Sequence, residues 1–324
     1  MKILIIKLGA IGDVVHSTVI AQAIKEKYPD YEIHFLTMDF IAPLISNNRF
    51  LSKVFSYDSD ANWYKILKLG LSLHKEKYDI IFNLTNSLKQ IVLAVMASGK
   101  IYKRSKKRIH AVDSFYNTAL TAFPELKKPE ALDLGVNKNI KERLMKNFAA
   151  ENHPIIIFSP GGDSDNSRQG RTWSDEYWIE LGNMFVQEYN AKIIIIGSKN
   201  EQTKHQKFSV IKNSSVMSGR LSLEETAALL SFADLIISGD SGPLHIADAV
   251  GAKTVAIMGS TSPYASGPYS VNGCYIEPQI SCKYCGLKKC NIQQGENAKP
   301  CMLSIKPDMV MNFVKSKNYF STLA

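Results

Sequence analysis

The 324-residue chain has no apolar run approaching the roughly 20 residues that cross a bilayer as a helix. Its first residues, Met1-Lys-Ile-Leu-Ile-Ile-Lys7, supply only four consecutive apolar side chains, too few for a signal-peptide core. These two absences place the expected compartment in the cytoplasm, free or peripheral at the inner membrane. Cysteine is scarce: there are five, all after residue 273, so a scattered disulfide framework is not expected in such a compartment. Acidic residues are outnumbered, 30 against 39 Lys and Arg, and the resulting charge of +9 asks for an anionic partner, whether nucleic acid, membrane surface or phosphorylated substrate. Nucleic acid is disfavoured because no reading motif or aromatic platform accompanies the basic residues. The first glycine loop, with Gly9 and Gly12, is not G-x-G-x-x-G, which argues against a nicotinamide dehydrogenase.

What is present is an alternation of buried-strand and helix patterns. In the first half, strands are expected at 2–8, 31–37, 53–57 and 79–84 and helices at 13–28, 62–77 and 87–97. The second half restarts with strands at 155–159 and 192–196 and helices at 174–189, 200–211 and 222–232. Such alternation predicts two α/β domains with parallel sheets. The boundaries are set at 1–152 for the first domain, 153–305 for the second and 306–324 for a C-terminal helix. Two tandem α/β halves, each with a glycine-rich turn after its first strand, suggest a cleft enzyme that takes a donor in one half and an acceptor in the other.

The most informative stretch is Leu235-Ile-Ile-Ser-Gly-Asp-Ser-Gly-Pro-Leu-His-Ile-Ala-Asp-Ala-Val-Gly251. It reads as a buried strand, a tight loop and a helix N-terminus, an arrangement suited to an anion. Ser241 and Gly242 offer backbone N–H groups there, Asp240 ends the strand, and His245 lies one turn into the helix. The plainer alternative is that Asp240 and Ser241 cap the helix while His245 packs. In the first loop Asp13 is either a helix N-cap or a carboxylate facing the cleft. Arg171, after Ser159-Pro-Gly-Gly162, is a guanidinium for a phosphate or a surface charge. Glu201 is a ribose contact or an ordinary helix-start acid. The run Lys100-Ile-Tyr-Lys-Arg-Ser-Lys-Lys-Arg108 is a solvated face or, through Lys103, Arg104, Lys106 and Lys107, a site for an acidic acceptor. Cys282, Cys285, Cys290 and Cys301 cluster as four thiols, the set a tetrahedral structural zinc or iron requires.

Taken together, Gly9-Ala-Ile-Gly-Asp-Val-Val-His16, Ser159-Pro-Gly-Gly162, Arg171-Thr-Trp-Ser-Asp-Glu-Tyr-Trp178, Gly239-Asp-Ser-Gly-Pro-Leu-His-Ile-Ala247 and Met258-Gly-Ser-Thr-Ser-Pro263 resemble the bacterial ADP-heptose glycosyltransferases of family nine. The resemblance covers nearly the whole chain, in family order and spacing. It implies a GT-B architecture, two Rossmann-like domains facing a cleft, with the last helix crossing back to the first domain. It further implies inverting transfer of heptose from ADP-heptose to an inner-core acceptor of lipopolysaccharide, Kdo-lipid A or a heptosylated core, at the inner face of the cytoplasmic membrane. Alternatives kept open are a protein acceptor such as an autotransporter, or a non-catalytic nucleotide-sugar or glycan binder. Carried over, Asp13 is the general base, Arg171 neutralises the diphosphate, Glu201 contacts ribose, Asp240 touches the sugar, and Ser241, Gly242 and His245 line the diphosphate pocket. No metal is required for the transfer itself. The four-cysteine segment resembles one found in some branches of the family.

Overall fold

The computed structural model describes residues 1–85, 87–104, 109–148, 153–161, 171–287, 290–292 and 299–320. It divides into two compact units, Met1–Val136 and Asn137–Ala324.

In the first unit the order is β1 (Lys2–Ile6), α1 (Ile11–Lys27), β2 (Glu32–Met38), α2 (Ala42–Ile45), β3 (Lys53–Tyr57), α3 (Trp63–Lys75), β4 (Ile80–Asn83), α4 (Leu88–Met96), β5 (Lys100–Lys103) and α5 (Ala111–Leu120). The sheet order is β3-β2-β1-β4-β5, all parallel. Because helices cover both faces, the central strands are apolar throughout: Ile3, Leu4, Ile5 and Ile6 are fully buried. Helix α1 packs with α5, while α3 packs with α4. The start of the basic run proves to be the edge strand β5, where lysines deter further strand pairing.

The second unit contains α6 (Lys138–Phe148), β6 (Ile155–Ser159), α7 (Asp175–Tyr189), β7 (Lys192–Ile195), α8 (Gln202–His205), β8 (Ser214–Val216), α9 (Leu223–Leu230), β9 (Leu235–Gly239), α10 (Gly242–Ala249), β10 (Thr254–Ile257), α11 (Pro263–Ser266), β11 (Gly273–Ile276), α12 (Pro300–Leu303) and α13 (Pro307–Ser316). Its parallel sheet runs β11-β10-β9-β6-β7-β8. The expected helix 200–211 is broken, with 3-10 turns at Lys199–Glu201 and Gln206–Val210 on either side of α8.

One boundary differs from the sequence reading. The first unit ends at Val136 instead of residue 152. Gln22 and Asn48 hold the backbone at 131–133, whereas α6 packs on α9 through Asn137–Glu224 at 3.0 Å and Arg143–Glu225 at 2.5 Å. The C-terminal helix packs on α7, where Val310, Met311 and Val314 join the core around Trp178 and Phe185.

Strand order reverses at β1/β4 in the first sheet and at β6/β9 in the second. Open α/β sheets bind ligands at the carboxyl ends of strands beside such reversals. The opposite edge of the first sheet is a structural network. Glu76 accepts from Lys53 Nζ at 2.7 Å and Lys2 Nζ at 2.9 Å, and these ammonium groups hold its carboxyl at about 2, against an ordinary 4.5. A carboxyl depressed in the fold stabilises it above pH 4.5, and that contribution is lost as pH falls towards about 2. Glu76→Gln is therefore expected to flatten the pH dependence of unfolding free energy across this window, measured by denaturant titration. An unchanged slope would mean that the two lysines contribute nothing to stability.

Candidate active site

The loop after β1 carries Asp13, and the structure removes its plainer role. The N-cap of α1 is Ala10, which makes no side-chain cap and has φ 55° and ψ 112°, a conformation that costs on the order of 1–3 kcal/mol for a residue with a Cβ. Asp13 sits at the third helical position, and its side chain, about one-third exposed, pairs with Lys7 Nζ at 3.0 Å. Lys7 is buried, with its ammonium also donating to the Gly9 carbonyl at 2.5 Å. A buried lysine thus fixes one oxygen of a carboxylate that remains accessible. Lys7 was missed in the sequence, where the only signal is a charge directly following Ile3–Ile6. Beside this loop a cavity of about 670 Å³ opens at the carboxyl ends of the strands, lined by Lys7, Gly9, Ala10, Met38, Trp63 and Leu88 among others. His16 is buried in α1 with its ring 5.7 Å from that of His110.

In the second unit Asp240 is the centre of the site. It follows β9, is buried, and pairs with Arg171 Nη2 at 2.9 Å and His245 Nε2 at 3.4 Å, while Ser266 donates to it at 3.2 Å. Burial pushes its carboxyl up, but the His245 hydrogen bond and the charges of His245 and Arg171 outweigh that, so it is held below the usual carboxylate value. The strand end and the Arg171 segment touch: a Cβ on Gly239 would meet the Arg171 carbonyl oxygen at 2.6 Å, so only glycine fits. Trp173 anchors the same segment, donating to the Ile305 carbonyl at 2.8 Å and meeting Trp178 edge-on at 5.1 Å.

Helix α10 begins without a side-chain cap. Ser241 is its N-cap residue, but its hydroxyl pairs with Ser238 at 2.9 Å instead of with the helix amides. The expected Asp240 or Ser241 cap is thus not formed: among the described residues no side chain caps the helix start beside the Gly242 amide. Arg171 Nε is buried and makes no hydrogen bond among the described residues. An uncapped helix start beside a guanidinium with a buried donor to offer has the chemistry of an anion site.

Glu201 occupies the carboxyl side of β7, where its Oε2 accepts from Ser198 N at 2.6 Å in a reciprocal capping box. The neighbouring cavity, about 240 Å³, is bordered by Gly161, Trp173, Lys204, His205, Lys207 and Lys299. Burial lowers the His205 pKa, so this ring is neutral near pH 7, in contact with Ser218 Oγ at 2.7 Å. Lys204 and Lys207 are three residues apart on one helical segment, whereas Lys299 is more than 90 positions away, and only folding brings the three together.

Of the acceptor candidates, Lys106 and Lys107 lie outside the described residues. Lys103 ends β5 in register with Asn83. Arg104 is committed to α5, with Nε donating to Ser114 at 3.0 Å and its guanidinium 4.0 Å from the centre of the Phe115 ring. Asp58-Ser-Asp60 is an Asp-x-Asp triplet, but Asp58 pairs with Lys65 at 3.0 Å and accepts from the Asp60 amide. Cys301 is buried on α12, and its thiol is pushed up first by burial and then by Cys282, Cys285 and Cys290. Among the described residues no three of these sulfurs come within 4.8 Å of one another; the one three-ligand group that close is Glu32, His34 and Glu76.

Residues 100–295, more than half of the chain, match the family model of glycosyltransferase family 9 (heptosyltransferase). The lipopolysaccharide core heptosyltransferase OpsX of Haemophilus influenzae is 24% identical over 290 residues, covering 82% of this chain and 81% of that protein. The structure of a glycosyl transferase family 9 protein from Veillonella parvula superposes with TM-score 0.82 at 17% identity, over 97% of this chain and 96% of the other. The E. coli ADP-heptose LPS heptosyltransferase II does so with TM-score 0.77 at 20% identity, over 98% of each chain. These likenesses show the fold, the paired parallel-sheet domains of GT-B enzymes. With the family match over residues 100–295, they place the chain in glycosyltransferase family 9, the heptosyltransferases.

Proposed function

We propose that the protein moves heptose from ADP-heptose to a hydroxyl of the lipopolysaccharide inner core, on Kdo-lipid A or a heptosylated core, with inversion at the transferred carbon. The observation that carries this reading is the Arg171–Asp240–His245 constellation at the uncapped start of α10. The leaving group is a diphosphate, whose developing charge Arg171 and the α10 amides are arranged to meet without a divalent ion. Glu201 serves the ribose and Asp240 the sugar, while Ser241, Gly242 and His245 surround the diphosphate. Asp13 removes the acceptor proton, held by Lys7. Lys103, Arg104, Lys106 and Lys107 assist an anionic acceptor, Arg104 in part through its hold on α5. The enzyme works on the cytoplasmic side of the inner membrane, peripherally attached.

The test is a donor panel with mass-spectrometric product detection, using Kdo-lipid A, a heptosylated core and an autotransporter passenger as acceptors. Heptose added to a core acceptor supports the reading. Heptose added only to the polypeptide, or donor binding without any turnover, overturns it in favour of the protein-modifying or the binding-protein alternative.

The four-cysteine segment, on the same reading, holds one structural zinc or iron through Cys282, Cys285, Cys290 and Cys301. Support comes from the donor set itself, four thiols at positions 282, 285, 290 and 301. One equivalent of metal is expected by elemental analysis, with Cys301→Ser losing both metal and thermal stability. Substoichiometric metal with four titratable thiols at full stability would overturn it.

A further inference from the structure

Helices α3 and α4 lie side by side over one face of the first sheet. They bury Ile66, Gly70, Leu73, Leu93 and Ala94. Their other sides are unusually apolar. On α3, Trp63 is 50% exposed, Tyr64 72%, Leu67 48% and Leu71 58%. At 100° per residue these four occupy one stripe about 100° wide. On α4, Leu88 is 67% exposed, Ile91 36% and Val95 63%, again one stripe by their i, i+3, i+7 spacing. Neither helix contains an acidic residue; Lys68 and Lys75 accompany the stripes, while Lys65 is paired with Asp58 at 3.0 Å and Lys89 donates to the Ala61 carbonyl at 3.1 Å. Of the acids that flank α3, Asp58 and Glu76 are paired with lysines and Asp60 is exposed.

We propose that this α3/α4 face docks the protein on an anionic lipid bilayer, with the apolar stripes entering the interface and the lysines meeting lipid phosphates. Long apolar side chains with a basic border and no acid are the pattern of a helix that lies in the plane of a membrane. No described helix is long and apolar enough to cross one, so attachment is to the surface. Two further observations select lipid over a second copy of the chain. Symmetric pairing through this face would set lysines against lysines. Trp63 and Leu88 also line the cavity beside the β1 loop, so the apolar surface continues into the pocket next to Asp13. A lipid-borne acceptor can then keep its acyl chains in the bilayer while its sugar enters the cavity. This deepens the function proposed above and rests on it for the acceptor, though not for the surface.

The experiment floats the protein with acceptor-free vesicles of phosphatidylcholine, alone or mixed with phosphatidylglycerol. Trp173 is 4% exposed and Trp178 fully buried, so a fluorescence blue shift on binding reports Trp63. Binding to the mixed vesicles is expected, with a blue shift, weakening with salt. The double variant Leu67→Glu with Leu71→Glu alters only exposed positions outside the cavity. It should melt as the parent does, lose at least about tenfold in vesicle binding, transfer normally to a delipidated core oligosaccharide and poorly to vesicle-borne acceptor. Flotation unaffected by the double substitution would overturn the assignment, as would a concentration-dependent dimer that the substitution dissolves without any vesicle binding. Vesicle binding without transfer to either acceptor would leave the surface standing and defeat the proposed function instead.

Discussion

Asp13→Asn is expected to lower kcat by roughly 10²–10⁴-fold, the range for loss of a general base, while the fold and donor affinity persist. The structure sharpens this expectation because Asp13 does not cap α1; Ala10 holds that position without a side-chain bond. The Asp13 side chain pairs with Lys7 at 3.0 Å. An asparagine retains a carbonyl oxygen for that ammonium, so Lys7 keeps an acceptor there besides the Gly9 carbonyl. Alanine would be a poorer test, since it removes the acceptor from a buried lysine and mixes a stability loss with the chemical one. What the amide cannot do is take a proton from an acceptor hydroxyl. Single-turnover transfer, a thermal melt and ADP binding on the same preparation separate the possibilities. Near-normal turnover would remove Asp13 from the chemistry, and lost turnover accompanied by a lost fold would assign it a structural role. Lys7→Met should act in the same direction through Asp13, with a changed pH profile of kcat that a purely structural lysine would not produce.

The parts of this architecture that were readable in advance are those written in local pattern. Continuous apolar runs such as Ile155–Phe158 and Leu235–Ile237 are buried on both faces of a parallel sheet, and no competing pattern imitates them. The loops that follow β1, β6 and β9 were found because glycine and acid at a strand end are local features too. Nonlocal features were not readable. The helix Lys138–Phe148 has ordinary amphipathic character, and its assignment to the second unit depends on Glu224 and Glu225, more than 80 positions away. The break between Lys199 and Val210 reflects packing of His205 against Ser218 and a turn closed by Ser198 and Glu201. Burial of Lys7 was invisible because a lysine at a strand terminus is ordinarily solvated, and only the fold brings Asp13 and the Gly9 carbonyl around it.

Arg171→Met is expected to cost roughly 10²–10³-fold in kcat, comparable to removing a donor that stabilises developing negative charge. It also removes the cation nearest a carboxylate that is 4% exposed, and that second effect must be separated from the first. Leaving a buried charge unpaired costs about 3–5 kcal/mol in well-buried pairs; with the Arg171 side chain 35% exposed and His245 still at 3.4 Å, the loss here should lie at or below the lower end. Arg171→Met combined with Asp240→Asn removes the stranded charge and should recover most of that stability. It should not recover turnover, because no cation then meets the diphosphate. Arg171→Lys should keep the fold and partial activity, since an ammonium supplies the charge but not the fork that engages Asp240 and a phosphate oxygen together. Thermal melts and single-turnover kinetics on the three variants decide the matter. Near-parental kcat in the stabilised double variant would show that Arg171 holds Asp240 in place and does nothing for the leaving group.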